Sequence, residues 1–504
     1  MIVWWIGIPF AGALVSLLWP RRVVWQVSSL LQVGVACWMT WAYLVRAPLE
    51  VTHTLHTLDF VLPWWGFPTS EGWLSRYQIQ LFFATDGTAL WLGLALALVG
   101  LVLSLWPGWT FSQPRFQIPA LFILQGFALW TLFSYDLIAF YVGFEAVLFP
   151  MYYLLLTSGS PPDETRKTAL EFLLYTLVGS VPMLAGILYG ASEISRSYGV
   201  PFTTNFLEWL KYPLPSTVQV WVYGSFVLAF WVKLGLFPLH GWVLSLYRVL
   251  PFPIVVLSSA FLTKLGGIGW LRFAPAFPEG HFSLAPYLGG LGVFSFIGAG
   301  LGAFFQKGLR GWMAYGSISH LSLIAVGVAA TSAAGFSGAA WYMVNHSVLV
   351  AAQLLLVGAI VARVGTDEIA RMGGLARSMP HVAVLWMIVA LASIGLPGLS
   401  QFPAEFLILT GSYVSYALRR AIFIGVLLGV VVSAAYTLPV LRRVLFGPSV
   451  QTPADLERGE SVPLWILGLW IIGVGFVAAP FLSEIQRTTT PLVEAILFQA
   501  LGVK

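Results

Sequence analysis

The sequence predicts an all-α integral membrane protein with about fourteen transmembrane helices, arranged as two inverted five-helix repeats that each contain a broken helix. Three observations support this fold class. The 504 residues are 59% hydrophobic and only 9% charged, whereas soluble domains average about 25% charged residues. Apolar stretches of about 20 residues, the length that crosses a bilayer, recur almost from end to end. Two of these stretches contain helix breakers close to ionisable residues.

Each predicted span corresponds to one apolar run. In chain order the spans are 2–19, 23–45, 83–106, 114–132, 135–158, 168–192, 217–245, 252–273, 283–305, 309–330, 334–363, 381–415, 418–443 and 462–482. A long polar loop, 46–82, follows the second span, and shorter loops join the others. We expect four regions: an N-terminal three-helix segment with the long outer loop at 1–113, a first inverted repeat of helices 4–8 at 114–273, a second of helices 9–13 at 283–443, and a last helix with a C-terminal tail at 444–504.

The basic residues predict how the chain is oriented. Arg21 and Arg22 follow the first apolar run instead of preceding it, so this run is expected to be a retained helix and not a signal peptide. Inward loops of membrane proteins carry an excess of lysine and arginine. With both termini outside, inward loops hold 14 of the 25 basic residues, outward loops hold 9, Arg272 among them, and Lys233 and Lys264 lie within spans. We therefore expect both termini on the outer side.

Other features exclude several classes of function. Cys37 is the single cysteine, so neither a disulfide nor a thiolate metal site is expected, and no motif for a redox cofactor is present. The net charge of +5 comes from loops and does not indicate nucleic-acid binding. Asp86 and Asp136 stand at the starts of apolar runs, where helix N-caps are the expected role.

Two predicted spans are interrupted by helix breakers. The stretch WVKLGLFPLHGW contains Gly235 and Pro238, and SIGLPGLSQFPAEF contains Pro397, Gly398 and Pro403. Proline removes a backbone donor and clashes with the preceding turn, so each helix should break there. A pair of interrupted helices in corresponding halves is typical of inverted-repeat transporters. The alternative is that these prolines only bend packed helices.

Four ionisable residues lie within apolar runs: Glu145, Lys233, Lys264 and Glu405. A charge at bilayer depth costs at least about 2.5–3.5 kcal/mol, so a chain that keeps two acids and two bases there is expected to move charge with them. Glu145 and Lys233, placed near each other, would each keep the other charged. Separating them would then release a proton. The alternative is a static salt bridge that joins two helices.

Histidines extend this set of buried groups. His320 and His346 lie in apolar spans beside small hydroxyl residues, and a histidine can transfer protons at physiological pH. Gln353 follows His346 by seven residues and could extend a hydrated face, and His240 follows Lys233 by the same spacing. A lone membrane histidine is more often a hydrogen-bonded helix contact, which is the alternative interpretation. Our hypothesis is a proton pathway from Glu145 through Lys233, Lys264 and the histidines to Glu405.

Several motifs together resemble a known family. YVGFEAVLFPMYY, TLVGSVPML, VKLGLFPLHGW, AYGSISHLSL and GLPGLSQFPAEFLIL are similar to segments of the antiporter-like M subunit, also called chain 4, of respiratory complex I, the proton-translocating NADH:quinone oxidoreductase. The resemblance extends from about Asp86 to Arg443 and is weakest in the 46–82 loop and the tail. It implies fourteen helices in two inverted repeats, and proton translocation driven by quinone reduction in other subunits.

The resemblance also implies roles for individual residues. Matched by motif, the proton-transfer residues are Glu145, Lys233, Lys264, His320, His346 and Glu405, supported by His240, Pro238 and Pro397. Glutamate at 405 points to the M type, because sister subunits usually place lysine there. The chain departs from the family pattern in LHGWVLSLYRVLP, which lacks the usual Asp-Ala-His stretch, at Ala404, where glycine is common, and at Arg310, where lysine is common.

The family context implies partners and a location. The chain itself is expected to bind no cofactor or metal, whereas FMN, iron–sulfur clusters and quinone belong to partner subunits. Neighbouring antiporter-like subunits of the N and L types are the expected partners, in the bacterial inner (cytoplasmic) membrane. Alternative functions are a subunit of a Mrp-type cation/proton antiporter or of a membrane-bound hydrogenase, and a scaffold of the membrane arm that no longer pumps.

Overall fold

The computed structural model describes residues 2–19, 21–46, 60–63, 77–78, 80–109, 111, 113–158, 161–448 and 452–501. These residues are almost entirely helical. Most of the loop predicted at 46–82 lies outside the described residues, so its expected place on the outer side stays a prediction. Within that loop, β1 (Phe60–Pro63) pairs antiparallel with β3 (Gln80–Phe83), and the short β2 (Tyr77–Gln78) pairs parallel with β4 (Phe202–Thr203).

The α-helices follow one another with short connections. In chain order they are α1 Ile2–Leu18, α2 Arg22–Arg46, α3 Gly87–Leu105, α4 Pro114–Phe133, α5 Leu137–Ala146, α6 Leu148–Leu156, α7 Pro162–Tyr198, α8 Phe206–Lys211, α9 Ser216–Leu234, α10 Gly241–Val249, α11 Phe252–Val256, α12 Thr263–Phe273, α13 Pro278–Phe304, α14 Leu309–Ala329, α15 Ala333–Val364, α16 Leu375–Ser378, α17 Pro380–Ser393, α18 Phe402–Tyr413, α19 Arg420–Phe446, α20 Arg458–Phe476 and α21 Ala479–Leu501. A π-helix, Leu257–Leu262, joins α11 to α12, and 3₁₀ turns cover Ala274–Ala276 and Ile369–Arg371.

Twelve helical segments among the described residues are long and apolar enough to cross a membrane. The shorter apolar helices α1 and α17 coincide with two further predicted spans. The predicted all-α membrane architecture is therefore confirmed. The count of fourteen spans and the inverted symmetry of two five-helix repeats stay predictions.

Both predicted helix breaks are present. α9 ends at Leu234, and Gly235 adopts a positive φ of 71° before α10 begins. α17 ends at Ser393, and Gly395 and Gly398 adopt φ values of 71° and 91° before α18 begins. Left-handed backbone is accessible to glycine without the steric cost that a Cβ atom adds. The glycines beside the prolines therefore allow the chain to leave the helix and resume it within a few residues.

The centre of the bundle is formed by the segment from α11 to α12 together with α14 and α15. The apolar window of Phe252–Ala276 is entirely buried by other helices. α15 packs against α14 and α18 on one side and against α3 and α21 on the other. Of the side chains predicted to carry protons, Lys264, His320 and His346 are buried on these central helices, and Lys233 is buried at the first broken helix. Glu145 on α5 and Glu405 on α18 are half-buried.

Arg272 corrects one sequence-based expectation. Its position at the end of an apolar run suggested an outward loop, yet it lies in the last turn of α12 and is 3% exposed. Its guanidinium donates to Asp86 Oδ2 at 3.1 Å and to the carbonyl oxygens of Leu132 and Ser134. Asp86 also caps α3 by accepting from Ala89 N, and Asp136 caps α5. The predicted capping roles are confirmed, and the buried ion pair is additional.

The C-terminal tail forms a 23-residue helix, α21. The sequence predicts only a tail after the span 462–482. It packs on α3 and α15, and Thr488 Oγ1 accepts a hydrogen bond from Gly87 N at 3.0 Å. A Cβ atom at Gly87 would lie 2.7 Å from Glu484 O. Glycine at this position therefore allows α21 to lie directly against the first turn of α3.

Candidate functional site

Lys233 lies in the last turn of α9, just before the break, and is 1% exposed. Its Nζ donates to the carbonyl oxygen of Phe144 at 2.7 Å and lies 4.1 Å from the centre of the Phe144 ring. A carbonyl and an aromatic face both stabilise a cation. Lys233 is thus bound to the residue that immediately precedes Glu145, on the neighbouring helix α5.

Glu145 is half-buried, and neither of its carboxylate oxygens has a hydrogen-bond partner among the described residues. Lys233 interacts electrostatically with it, but no ion pair within 4.0 Å joins the two side chains in the described part of the chain. The static salt bridge considered as an alternative is therefore not formed. The predicted neighbourhood of the two groups is present, with the contact passing through Phe144.

Glycine sets the spacing between the two lysine-bearing helices. A Cβ atom at Gly266 of α12 would lie 2.8 Å from the carbonyl oxygen of Phe230 and 3.2 Å from Cβ of Lys233. Only a residue without a Cβ fits at this distance. α12, which carries Lys264, therefore packs directly on the turn of α9 that carries Lys233, although no hydrogen bond joins the two lysines among the described residues.

Lys264 and His346 are in direct contact. Lys264 is completely buried, and its Nζ lies 2.8 Å from Nδ1 of His346 on α15. The same nitrogen donates to the carbonyl oxygen of Ser259 at 2.5 Å and lies 3.3 Å from Thr263 Oγ1. Ser259 lies in the π-helix, an irregularity found frequently at functional sites. All three hydrogens of a lysine ammonium group therefore have partners here.

His320 follows His346 in space. The ring centres of the two histidines are 6.2 Å apart. Both ring nitrogens of His320 are bound by tyrosine hydroxyls: Nδ1 lies 2.9 Å from Tyr342 Oη and Nε2 lies 3.1 Å from Tyr436 Oη. Tyr342 also stacks on His346, with ring centres 6.0 Å apart. The two tyrosines were missed in the sequence, because a membrane tyrosine is usually attributed to the interface.

A narrow cavity of about 10 Å³, close to the room that one water needs, adjoins both histidines. Its polar lining includes Ser317, Gln353 and Thr437. The hydroxyls of Ser317 and Thr437 are buried and have no hydrogen-bond partner among the described residues. The prediction that Gln353 continues a polar face beyond His346 agrees with this lining.

Glu405 lies in the first turn of α18, beyond the second break. Its carboxylate lies against Gly395, where a Cβ atom would collide with Oε2. It interacts electrostatically with both Tyr342 and Tyr436. No hydrogen bond joins Glu405 to either tyrosine among the described residues, so the row of direct contacts that begins at Lys264 ends at the two tyrosine hydroxyls.

The three supporting residues lie at the breaks. Pro238 and Pro397 are in the non-helical segments that follow α9 and α17. His240 precedes α10 and is half-buried, with its ring 5.1 Å from Phe237 and 6.1 Å from Tyr315. Lys233 and His240 therefore lie on opposite sides of the break and not on one continuous helical face.

These contacts join some of the predicted residues and leave others apart. Hydrogen bonds link Lys264 to His346, and His320 to two tyrosines that approach Glu405. Lys233 and Glu145 form a separate pair that meets the first group only through helix packing at Gly266. Across the described residues, no group of three or more His, Cys, Asp and Glu side chains could hold a metal ion. The arrangement is one of buried proton donors and acceptors inside a membrane bundle.

Comparison with known proteins identifies the class. The profile of the transmembrane family of NADH:quinone oxidoreductase and Mrp antiporter proteins matches residues 134–432. NADH-quinone oxidoreductase subunit M of Rickettsia prowazekii is 32% identical over 382 residues, which cover 75% of this chain and 76% of that protein. NAD(P)H-quinone oxidoreductase chain 4 2 of Thermosynechococcus vestitus is 33% identical over 381 residues, covering 74% and 70%.

Solved structures agree with these relatives. A chain of respiratory complex I from Thermus thermophilus with bound NADH superposes with a TM-score of 0.84 at 29% identity, over 98% of this chain and 100% of that one. A chain of the Mrp complex from Dietzia shares the fold with a TM-score of 0.80, at 18% identity and over 99% and 98% of the two chains. Fold and site therefore define an antiporter-like membrane subunit. The chain belongs to the transmembrane family of NADH:quinone oxidoreductase and Mrp antiporter proteins, and its predicted resemblance to the M subunit is confirmed.

Proposed function

We propose that this chain translocates protons through Glu145, Lys233, Lys264, His346, His320 and Glu405 as a membrane-arm subunit of an NADH:quinone oxidoreductase. One observation carries the proposal above the others. The 2.8 Å contact between Lys264 and His346 joins a buried amine to an imidazole. This imidazole lies beside that of His320, which is hydrogen-bonded at both ring nitrogens. Ionisable groups at membrane depth are costly, so a chain that keeps a row of them is expected to use them in function.

The contacts suggest the order of proton transfer. Lys264 passes a proton to Nδ1 of His346, which leaves a neutral amine and forms an imidazolium. His346 then returns to the neutral state when its proton reaches His320, aided by the stacked Tyr342 or by water in the adjoining cavity. His320 can release the proton from either nitrogen to a tyrosine hydroxyl, and Glu405 is the final acceptor. Each step joins groups whose charge changes on transfer.

Glu145 and Lys233 act on this row through their charges. Their side chains are not hydrogen-bonded to each other, so a change of charge on either one alters the field at the other without breaking a contact. When Glu145 is ionised, it stabilises the ammonium form of Lys233. When Glu145 is neutralised, Lys233 loses that support and releases its proton more readily. Helix packing at Gly266 brings the change in charge at Lys233 close to α12, the helix that carries Lys264.

The assignment sets the wider context. Quinone reduction in partner subunits that hold FMN and iron–sulfur clusters drives translocation, and this chain performs no redox chemistry. Its neighbours are antiporter-like subunits of the N and L types in the bacterial inner membrane. The predicted repeats, 114–273 and 283–443, each contain one break, between α9 and α10 and between α17 and α18, which supports inverted symmetry. The bias of basic residues supports both termini on the outer side.

Three substitutions test this function in the intact complex. Lys233→Met, Glu145→Gln and Glu405→Gln each remove one titratable group while keeping side-chain size. We expect each to lower proton uptake by inverted membrane vesicles and the coupled oxidation of NADH, with assembled complex still present. Proton translocation at the wild-type rate in all three variants, measured per assembled complex, contradicts the proposal and supports the scaffold alternative.

A second candidate is a subunit of a Mrp-type cation/proton antiporter. The fold that this chain shares with the Dietzia Mrp chain is compatible with that function. A membrane-bound hydrogenase subunit is a further candidate. Reconstituted vesicles separate these functions. Sodium flux that requires Lys264 supports the antiporter, whereas proton flux that requires NADH oxidation supports the leading proposal.

A further inference from the structure

Gln401 is an unusually placed polar residue at the second break. It directly precedes α18 and is completely buried, with 0% of its surface exposed. Its backbone carbonyl accepts from Glu405 N at 3.1 Å. Neither the oxygen nor the nitrogen of its side-chain amide has a hydrogen-bond partner among the described residues. This side chain is absent from the proton row predicted from the sequence.

The surroundings of Gln401 are polar. The preceding residue, Ser400, is also 0% exposed, and its hydroxyl likewise has no hydrogen-bond partner in the described part of the chain. The Gln401 amide lies close enough to the Tyr342 hydroxyl for a weak hydrogen-bonding interaction, although the two groups do not reach full hydrogen-bond geometry. Tyr342 also interacts electrostatically with Glu405. Gln401 therefore lies where the row passes from Tyr342 to Glu405.

The unpaired atoms indicate what binds there. A buried polar group without a partner destabilises the folded protein, and three such atoms occur on the adjacent residues Ser400 and Gln401. The amide nitrogen needs an acceptor, whereas the amide oxygen needs a donor. A metal cation would satisfy only the oxygens. Water both donates and accepts, and buried waters typically make about three hydrogen bonds to groups of this kind.

We propose that Gln401 and Ser400 hold water at the break between α17 and α18, and that this water carries the proton from Tyr342 to Glu405. The inference rests on the proposed function and adds its last link. Gln401 is a positioning residue here, because an amide does not itself donate a proton to a carboxylate.

The transfer balances in protons. His320, as imidazolium, gives its Nδ1 proton to Tyr342 Oη while the Tyr342 hydroxyl proton passes to the bound water. The water in turn gives one of its own protons to the Glu405 carboxylate. His320 ends neutral, Glu405 ends protonated, and the tyrosine and the water are unchanged.

Two substitutions of Gln401 distinguish a water site from a packing role, because the two roles predict opposite rankings of the variants' proton-translocation rates. Gln401→Met keeps the length of the side chain but removes both polar atoms, whereas Gln401→Ala leaves space that water can fill beside Ser400 and Glu405. We expect Gln401→Met to lower proton translocation by about fivefold or more per assembled complex, as for loss of a proton-transfer step. Gln401→Ala should retain most of the wild-type rate. A packing role predicts the reverse, since alanine opens a cavity and methionine fills it.

Gln125→Met is the matched control. Gln125 is 1% exposed on α4, and its amide oxygen accepts from Gln32 Nε2 at 3.4 Å, outside the proton row. This variant should translocate protons at the wild-type rate. Wild-type translocation in Gln401→Met, or a larger loss in Gln401→Ala than in Gln401→Met, overturns the water site. If Glu405→Gln is inactive at the same time, the proposed function stands and only this link fails.

Discussion

The side-chain nitrogen of Lys264 lies 2.8 Å from Nδ1 of His346, on the helix that packs against it. Both side chains are buried within the central helices. A lysine that donates to a neutral imidazole in this way can transfer its proton without a conformational change. The contact turns two separate sequence features, a membrane lysine and a membrane histidine, into one donor and acceptor pair.

Lys264→Arg tests whether this pair moves protons or only holds a charge. Arginine keeps the positive charge but stays protonated in proteins, so it cannot release a proton to His346. We expect the variant to translocate protons as poorly as Lys264→Met, measured as the initial rate of proton uptake by vesicles. Substantial activity in Lys264→Arg together with none in Lys264→Met supports a purely electrostatic role. Because arginine is larger, both rates are compared per assembled complex.

The two tyrosines on His320 give a prediction about redundancy. Tyr342→Phe and Tyr436→Phe each remove one hydroxyl and leave the other ring nitrogen bonded. We expect a partial loss of proton translocation in each single variant and a greater than additive loss in the double variant, as for groups in one network. Tyr198→Phe is the control, because its hydroxyl bonds the Pro213 carbonyl at the protein surface. Wild-type translocation in the double variant excludes a role for the hydroxyls.

Gly266→Ala tests the spacing of the two lysine helices. The added Cβ atom would lie 2.8 Å from the Phe230 carbonyl oxygen, so α12 must move away from α9. We expect proton translocation to fall and the purified complex to dissociate at a lower temperature. Gly298→Ala in α13 is the matched control, since nothing lies within 4 Å of its added Cβ, and alanine favours a helix by about 1 kcal/mol. Equal behaviour of the two variants contradicts the role given to Gly266.

Asp86→Asn tests the buried ion pair with Arg272. Asparagine caps a helix as well as aspartate does, so the substitution leaves the cap of α3 and removes only the negative charge. Breaking a buried pair by neutralising one partner costs about 3–5 kcal/mol. We expect a clearly lower midpoint temperature in thermal dissociation of the purified complex. Glu208→Gln, which removes an exposed pair with Lys211 at 4.0 Å, should leave that temperature unchanged.

The sequence predicted those features that depend on local chemistry. Apolar runs locate membrane helices because every residue in a span faces lipid or protein, whatever the order of packing. The breaks near Pro238 and Pro397 were predictable because proline and glycine act on their own turn of the chain. Glu145, Lys233, Lys264 and Glu405 were recognisable because a charge in an apolar run is costly wherever it lies.

Features that depend on packing were not predictable. Tyr342, Tyr436 and Gln401 are ordinary residues in sequence, and only the crossing of α14, α15, α18 and α19 brings them to His320 and Glu405. Arg272 was misplaced because hydropathy cannot show that α3 supplies an acid opposite the end of α12. The indirect contact between Lys233 and Glu145 depends on side-chain distances, which no sequence pattern contains.

The proposed proton pathway is tested at its centre by the rate of proton uptake by inverted vesicles that carry His320→Leu in the intact complex. Leucine removes both ring nitrogens at the point where Tyr342 and Tyr436 meet the row. We expect a severe loss of proton translocation and of coupled NADH oxidation at normal levels of assembled complex. Wild-type proton uptake in this variant would contradict the claim that the buried side chains form the proton pathway.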